Sequence, residues 1–263
     1  MQKSGTNETK QSPKALWLID LGNCGYRQVW TFQQRLQRLR IEQRIPDVLI
    51  FVEHPPVYTI GKNGTENHVI APSQFLNQQG IEVIPVDRGG DVTYHGPGQL
   101  VGYPIFDLHQ HRKSVSFYMR QLEEVFIDVL KQWDITGERS DGYTGVWIRN
   151  EKIVALGVRI SRWVTMHGFA FNIDPDLSHY NGIIPCGIFH MGVTSLSQQL
   201  GYSVELQDVK KHVVTSFLKL FEFAEVRNIA VDSEAVMTAP EAVADSLCSM
   251  QEMPNFIEQE NMQ

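Results

Sequence analysis

Cysteine is scarce in this chain: three in 263 residues, Cys24, Cys186 and Cys248, none spaced as CxxC. That excludes a disulfide framework and a cysteine-based zinc site, and fits a reducing compartment. No apolar run approaches the ~20 residues that a bilayer span needs. The opening MQKSGTNETKQSPK lacks the apolar core of a secretory signal, so a cytoplasmic protein with no membrane partner is expected. Neither GxxxxGKS/T nor GxGxxG occurs, which removes sequence support for ATP chemistry in those forms.

Cationic residues are absent from 231 to 263, where Asp232, Glu234, Glu241, Asp245, Glu252, Glu258 and Glu260 account for the whole net charge of −7. The remainder is neutral and is not a nucleic-acid binder by charge. Three segments are expected: a flexible 1–14, a domain over 15–230, and an acidic tail over 231–263 that is disordered or loosely helical.

What is present is a soluble, globular pattern, with 42% hydrophobic and 20% charged residues. Strands are predicted over 15–21, 48–54, 57–60, 81–86, 91–95 and 99–105 from apolar runs or alternation bounded by Pro and Gly. The 57–60 strand reads as a resumption of the one stopped by Pro55 and Pro56, and 99–105 as the hairpin partner of 91–95. Val29, Trp30, Phe32, Leu36 and Leu39 recur at helical spacing with Arg35, Arg38 and Arg40 outside, a face suited to solvent or to an acidic partner. Ser114 caps a second helix running to Trp133, and 208–223 forms a third. Tyr143–Arg149, Lys152–Ile160 and Val164–Ile173 form an antiparallel meander. The class is α+β, with mixed or antiparallel sheets covered by a few helices.

The stretch RGGDVTYHGPGQLVGYPI, 88–105, is too polar for an ordinary core hairpin. Val92 and Tyr94 fall on one face, and Asp91, Thr93 and His95 on the other. Gly89 and Gly90 allow close backbone approach, so the segment suits a substrate cradle. His109 and His111 have no ligand partners at metal spacing and read as surface or turn histidines; no metal or other cofactor is expected. Cys186, in IIPCGIF, lies in a turn with small neighbours. Its local sequence suits an approachable thiol as well as a small buried hydrophobe. A working thiol, ~8.5 in pKa when unperturbed, needs a base or cation, and Lys152, Arg159, Arg162, His95 and His167 are available.

RGGDVTYHGPGQLVGYPI, KIVALGVRISRWVTMHGFAFNI, GIIPCGI and HPPVYTIGK occur in one order that closely resembles the lipoyl(octanoyl) transferase family over residues 15–225. The resemblance implies a fold shared with biotin protein ligases and lipoate-protein ligases. It implies catalytic residues Cys186, as acyl-thioester carrier, and Lys152. It also places acyl-substrate contacts at Arg88, Gly89, Gly90, Asp91, Val92, Thr93, Tyr94 and His95, at Ala155, Leu156 and Gly157, and at Gly168, Phe169 and Ala170. The implied partners are octanoyl-acyl carrier protein, the lipoyl domains of 2-oxoacid dehydrogenases and the glycine cleavage H protein. The implied reaction passes the octanoyl group through Cys186 to a lipoyl-domain lysine without ATP. The small residues Ala155, Gly157, Gly168 and Ala170 are expected to leave an apolar slot. Two alternatives stand beside it: an ATP-dependent lipoate or biotin ligase, whose GRGRxGR-type loop is not found, and a noncatalytic carrier-binding module.

Overall fold

The computed structural model describes residues 14–184 and 192–252. Its first half runs β1 (Ala15–Asn23), α1 (Tyr26–Ile41), β2 (Asp47–Glu53), β3 (Val57–Ile60), α2 (Ser73–Gln79), β4 (Glu82–Pro85), β5 (Val92–His95) and β6 (Gln99–Ile105). Then come α3 (Val115–Leu130), β7 (Glu138–Ser140), β8 (Tyr143–Ile148), β9 (Glu151–Ser161) and β10 (Val164–Asn172). The chain continues through β11 (Gly192–Val193), α4 (Leu196–Leu200), α5 (Leu206–Phe221), β12 (Glu225–Asn228), α6 (Ser233–Thr238) and α7 (Pro240–Ser246).

The principal sheet has the order β12-β1-β2-β6-β10-β9-β8-β7, with β11 joined to β9, and a separate small sheet has the order β4-β3-β5. Strand β1 is parallel to β2 and β12, whereas β2 through β8 pair antiparallel along the sheet. This is the expected α+β class with mixed sheets, and β8-β9-β10 is the expected meander.

Helices cover both faces of the principal sheet, which explains why β2 is apolar at every position from Val48 to Val52. Leu49 and Phe51 pack with Leu122, Phe126, Val213 and Phe217 from α3 and α5, while Val48, Ile50 and Val52 pack with Val29, Phe32 and Leu36 from α1. The Ser114 hydroxyl accepts from the Phe117 N–H at 3.3 Å, capping α3 as its sequence predicts.

The structure corrects the following expectations. Strands β5 and β6 are not a hairpin: β5 pairs with β3, and β6 with β2 and β10. Gly96-Pro97-Gly98 is a corner between sheets. Gly98, at φ +81°, turns its N–H to Glu53 at 2.9 Å and its carbonyl to the N–H groups of Ile173 and Asp174. Pro55 and Pro56 form the other corner, so β3 does not resume β2.

Arg40 is not on an outer face but 2% exposed, with its Nε 2.8 Å from Asp47 and Nη2 3.7 Å from Asp107. His111 is no surface histidine either, because its ring is buried and bonds Asp47 at 2.7 Å. Spacing marks a helix face, but it does not show that two aspartates from other elements meet that face.

Up to residue 252 the acidic segment is helical. Val236, Ala244 and Leu247 are buried against α1, and Arg35 pairs with Asp245. Apolar residues among the acids supply the docking face that composition alone conceals.

Candidate active site

Strand β9 carries the site because it outruns its neighbour. β8 pairs with it only as far as Val154. Further along, the Arg88–Gly90 segment takes the exposed edge, with the Gly89 N–H donating to the Val158 carbonyl at 2.9 Å. A cavity of about 800 Å³ fills the gap between the two sheets. Lys152, Arg88 to Thr93, His95, Ala155 to Gly157 and Gly168 to Ala170 all line it. Sequence segments far apart in the chain therefore converge on one chamber.

Tyr94 does not line that chamber. It packs with Tyr58, Ile60 and Val92 in the small-sheet core, and its hydroxyl bonds His179 at 2.8 Å. Thr93 and His95, on the opposite face of β5, do face the chamber, as the alternation predicts. Cys186 lies outside the described residues. Cys24 is buried and Cys248 partly so; burial pushes the Cys24 thiol pKa up, and neither lines the chamber.

Lys152 is the second residue of β9 and is half-buried. Its Nζ stands 4.6 Å from the centre of the Trp147 ring, its cross-strand partner, whose aromatic face stabilises a positive charge above it. A Cβ on Gly145, which stands at φ +133°, would lie 2.7 Å from the Val154 carbonyl, so the close approach of β8 to β9 beside Lys152 requires glycine there. The Thr194 N–H holds the Lys152 carbonyl at 3.1 Å.

The four small residues form two facing pairs, Ala155 opposite Ala170 and Gly157 opposite Gly168. Their bare faces serve packing as well as space. A Cβ on Gly157 would lie 3.0 Å from the Gly89 carbonyl and 3.1 Å from Arg88 Cδ, and one on Gly168 would strike the Gly102 carbonyl. Close approach of the Arg88 segment to β9 therefore requires glycine at 157.

Beyond these glycines lies a buried polar cluster of Tyr26, Arg88, His95, Tyr103 and His167, all lining the same cavity. Arg88 donates through Nη2 to the Thr59 carbonyl and hydroxyl at 2.8 and 2.9 Å. His95 donates through Nδ1 to Gln99 at 2.8 Å. Behind it, His54 donates through Nδ1 to the Cys24 carbonyl and accepts through Nε2 from the Tyr103 hydroxyl, both at 2.7 Å. Burial lowers the His54 pKa to about 4 and holds His95 well below the ordinary imidazole value, so both are neutral at pH 7.

His167 sits mid-strand at φ +58°, a conformation that side chains rarely adopt. Its N–H is turned to Gln33 on α1 at 3.0 Å, and its Nε2 donates to Asp87 at 2.8 Å. Burial lowers its pKa despite Asp87. Asp87 in turn pairs with Arg159 at 2.7 Å.

Sequence reasoning did not single out Tyr26 and Tyr103. Tyr103 lay within a recognised string, but Tyr26, in GNCGYR, stands in no motif and reaches the chamber only because α1 packs over β6. Among the described residues no group of three or more His, Cys, Asp or Glu could hold a metal ion. No helix among them is long and apolar enough to cross a membrane.

Residues 25–218 match the family described as the lipoyl protein ligase A/B catalytic domain, and the chain belongs to that family. Its similar relatives are octanoyltransferases. That of Desulforamulus reducens is 45% identical over 209 residues, 79% of this chain and 92% of the relative. That of Cytophaga hutchinsonii is 42% identical over 232 residues, 81% of this chain and 95% of the relative. Among solved structures, lipoate-protein ligase A bound with ATP superposes with a TM-score of 0.65 at 14% identity, covering 90% of this chain and 94% of that chain. The P. falciparum LipL1 structure in complex with lipoate gives 0.67 at 13%, covering 92% and 75%. These likenesses show the fold.

Proposed function

We propose that this protein is an octanoyltransferase of protein lipoylation, moving an octanoyl group from the thioester of an acyl carrier protein to a lysine of a lipoyl domain. The observation that carries it is the gathering of Lys152 and the 88–95, 155–157 and 168–170 segments around one chamber, in a chain 45% identical to an octanoyltransferase. Cys186 is the proposed nucleophile.

In the first half-reaction the Cys186 thiolate attacks the thioester carbonyl. A new carbon–sulfur bond forms, the old one breaks, and the carrier thiol leaves with a proton. The two thioesters are similar in energy, so no ATP is spent. In the second, the lipoyl-domain amine attacks the acyl-cysteine, an amide forms, and the thiolate is regenerated as the amine loses its proton. Lys152 as ammonium favours the thiolate, and as amine it accepts the proton released in the second half. Residues of the chamber hold the chain and exclude water.

Intact-protein mass spectrometry after incubation with octanoyl-carrier protein tests this. A hydroxylamine-labile octanoyl adduct, absent in Cys186→Ala and transferred to a lipoyl domain without ATP, is expected. Lipoylation that consumes ATP and survives Cys186→Ala would overturn it.

A further inference from the structure

The far end of the chamber carries a hydroxyl that no other described residue uses. With ~3.3 Å per strand residue and ~4.8 Å between strands, Gly157 lies about 16 Å along β9 from Lys152, and β6 about 10 Å across. Tyr103 on β6 adjoins Gly102, which is paired to Phe169 beside Gly168. The two combine to about 19 Å, of which the lysine side chain spans about 6 Å and an extended eight-carbon chain with ~1.5 Å bonds about 10 Å, which leaves the chain's end within side-chain reach of β6. The chain's distal carbons thus come to the polar cluster.

Each side chain there except one is committed to a protein partner. Tyr103 donates to His54, His95 to Gln99, Arg88 to Thr59 and His167 to Asp87. Tyr26, 5% exposed, is clamped by the rings of His54 and His95, with centroids at 5.0 and 5.7 Å. Its side chain lines the chamber, and its hydroxyl makes no hydrogen bond among the described residues. Burial pushes its pKa up, so it keeps its proton as a donor. The hydroxyl is not among the fully buried atoms that lack a partner, so it opens into the chamber, where a ligand atom that accepts its proton takes the place of water.

We infer that Tyr26 is a specificity-determining residue for the distal end of the acyl chain. The site takes eight-atom acyl groups with an oxygen acceptor near that end, as well as plain octanoyl. The distal atom is untouched by the reaction, which remains the same acyl exchange between sulfur and nitrogen. This inference rests on the octanoyl-transfer function proposed above.

The test sets octanoyl-carrier thioester in competition with analogues in which an ether oxygen replaces the fifth, sixth or seventh carbon. Wild type and Tyr26→Phe are compared, and product masses on the lipoyl domain are read. Because both donors compete in one sample, the product ratio is independent of how much protein is folded. For at least one oxygen position, the ratio of oxygenated to plain product is expected to be about tenfold higher in wild type than in Tyr26→Phe. Equal ratios at all positions, with octanoyl transfer intact, overturn the role of Tyr26 alone. Absence of octanoyl transfer by wild type overturns the proposed function, and this inference with it.

Discussion

Gly157 on β9 stands directly opposite Gly168 on β10, and the two are bare for different neighbours. Gly157 faces the backbone of the Arg88 segment, and Gly168 the backbone of β6. Valine at 157 has to push against the Gly89 carbonyl or enter the chamber. Gly157→Val is therefore expected to lower octanoyl transfer at least about tenfold, a barrier change of ~1.4 kcal/mol, while circular dichroism stays native. Transfer at the wild-type rate by a folded variant would refute the slot.

Gly168→Ala should act on stability first, because its methyl meets a backbone carbonyl that cannot rotate away. A loss of about 1–3 kcal/mol in urea unfolding is expected, as for overpacked cores.

The buried imidazoles make stability depend on pH. His54 has a folded pKa of about 4, below the ~6.5 of the unfolded chain, so the unfolded state binds more protons between these values. Stability is fully present above pH ~6.5 and is lost as pH falls toward 4, by up to ~1.4 kcal/mol per unit for each such proton. Burial also lowers the pKa values of His95 and His167, which adds to the trend. Urea unfolding at pH 7.5 and 5.5 should show the loss, and His54→Gln should reduce its slope. An unchanged midpoint across that window would contradict it.

Arg40 sits between Asp47 and Asp107. Burial raises the Asp107 pKa, but hydrogen bonds from Gln43 and His109 and the Arg40 charge outweigh it and hold it below the usual carboxylate range. Arg40→Met leaves two buried carboxylates without their cation and is expected to cost about 3–5 kcal/mol. Thermal unfolding reads this directly, and a shift of under a degree or two would show the cluster to be neutral.

Leu247, 1% exposed, packs on the α1 side of the principal sheet. Leu247→Ala should cost about 2–5 kcal/mol and leave the transfer rate of the folded fraction unchanged. An undocked tail would show no loss of stability.

Legibility in the sequence followed the range of the forces involved. The β8-β9-β10 meander and helices α1, α3 and α5 were readable because alternation, helical spacing and the Ser114 cap act within a few residues. The corners at Pro55-Pro56 and Gly96-Pro97-Gly98 were not, because a tight turn looks the same whether its strands pair with each other or part for different sheets. Arg40 and His111 were misplaced for a related reason: the aspartates that bury them arrive from β2 and from residue 107. The contacts of Lys152 with Trp147 follow from strand register, whereas Tyr26 depends on how α1 lies across the sheet, which no local pattern encodes.

Since the chamber lies between two sheets, its width depends on the two short connections that cross from one to the other and on the Gly89–Val158 hydrogen bond. One residue added beside Pro55 or Pro97 would shift the small sheet relative to β9 without removing any strand pair. Acyl groups of another girth are thus within reach of small changes in loop length, with the principal sheet as an unaltered foundation.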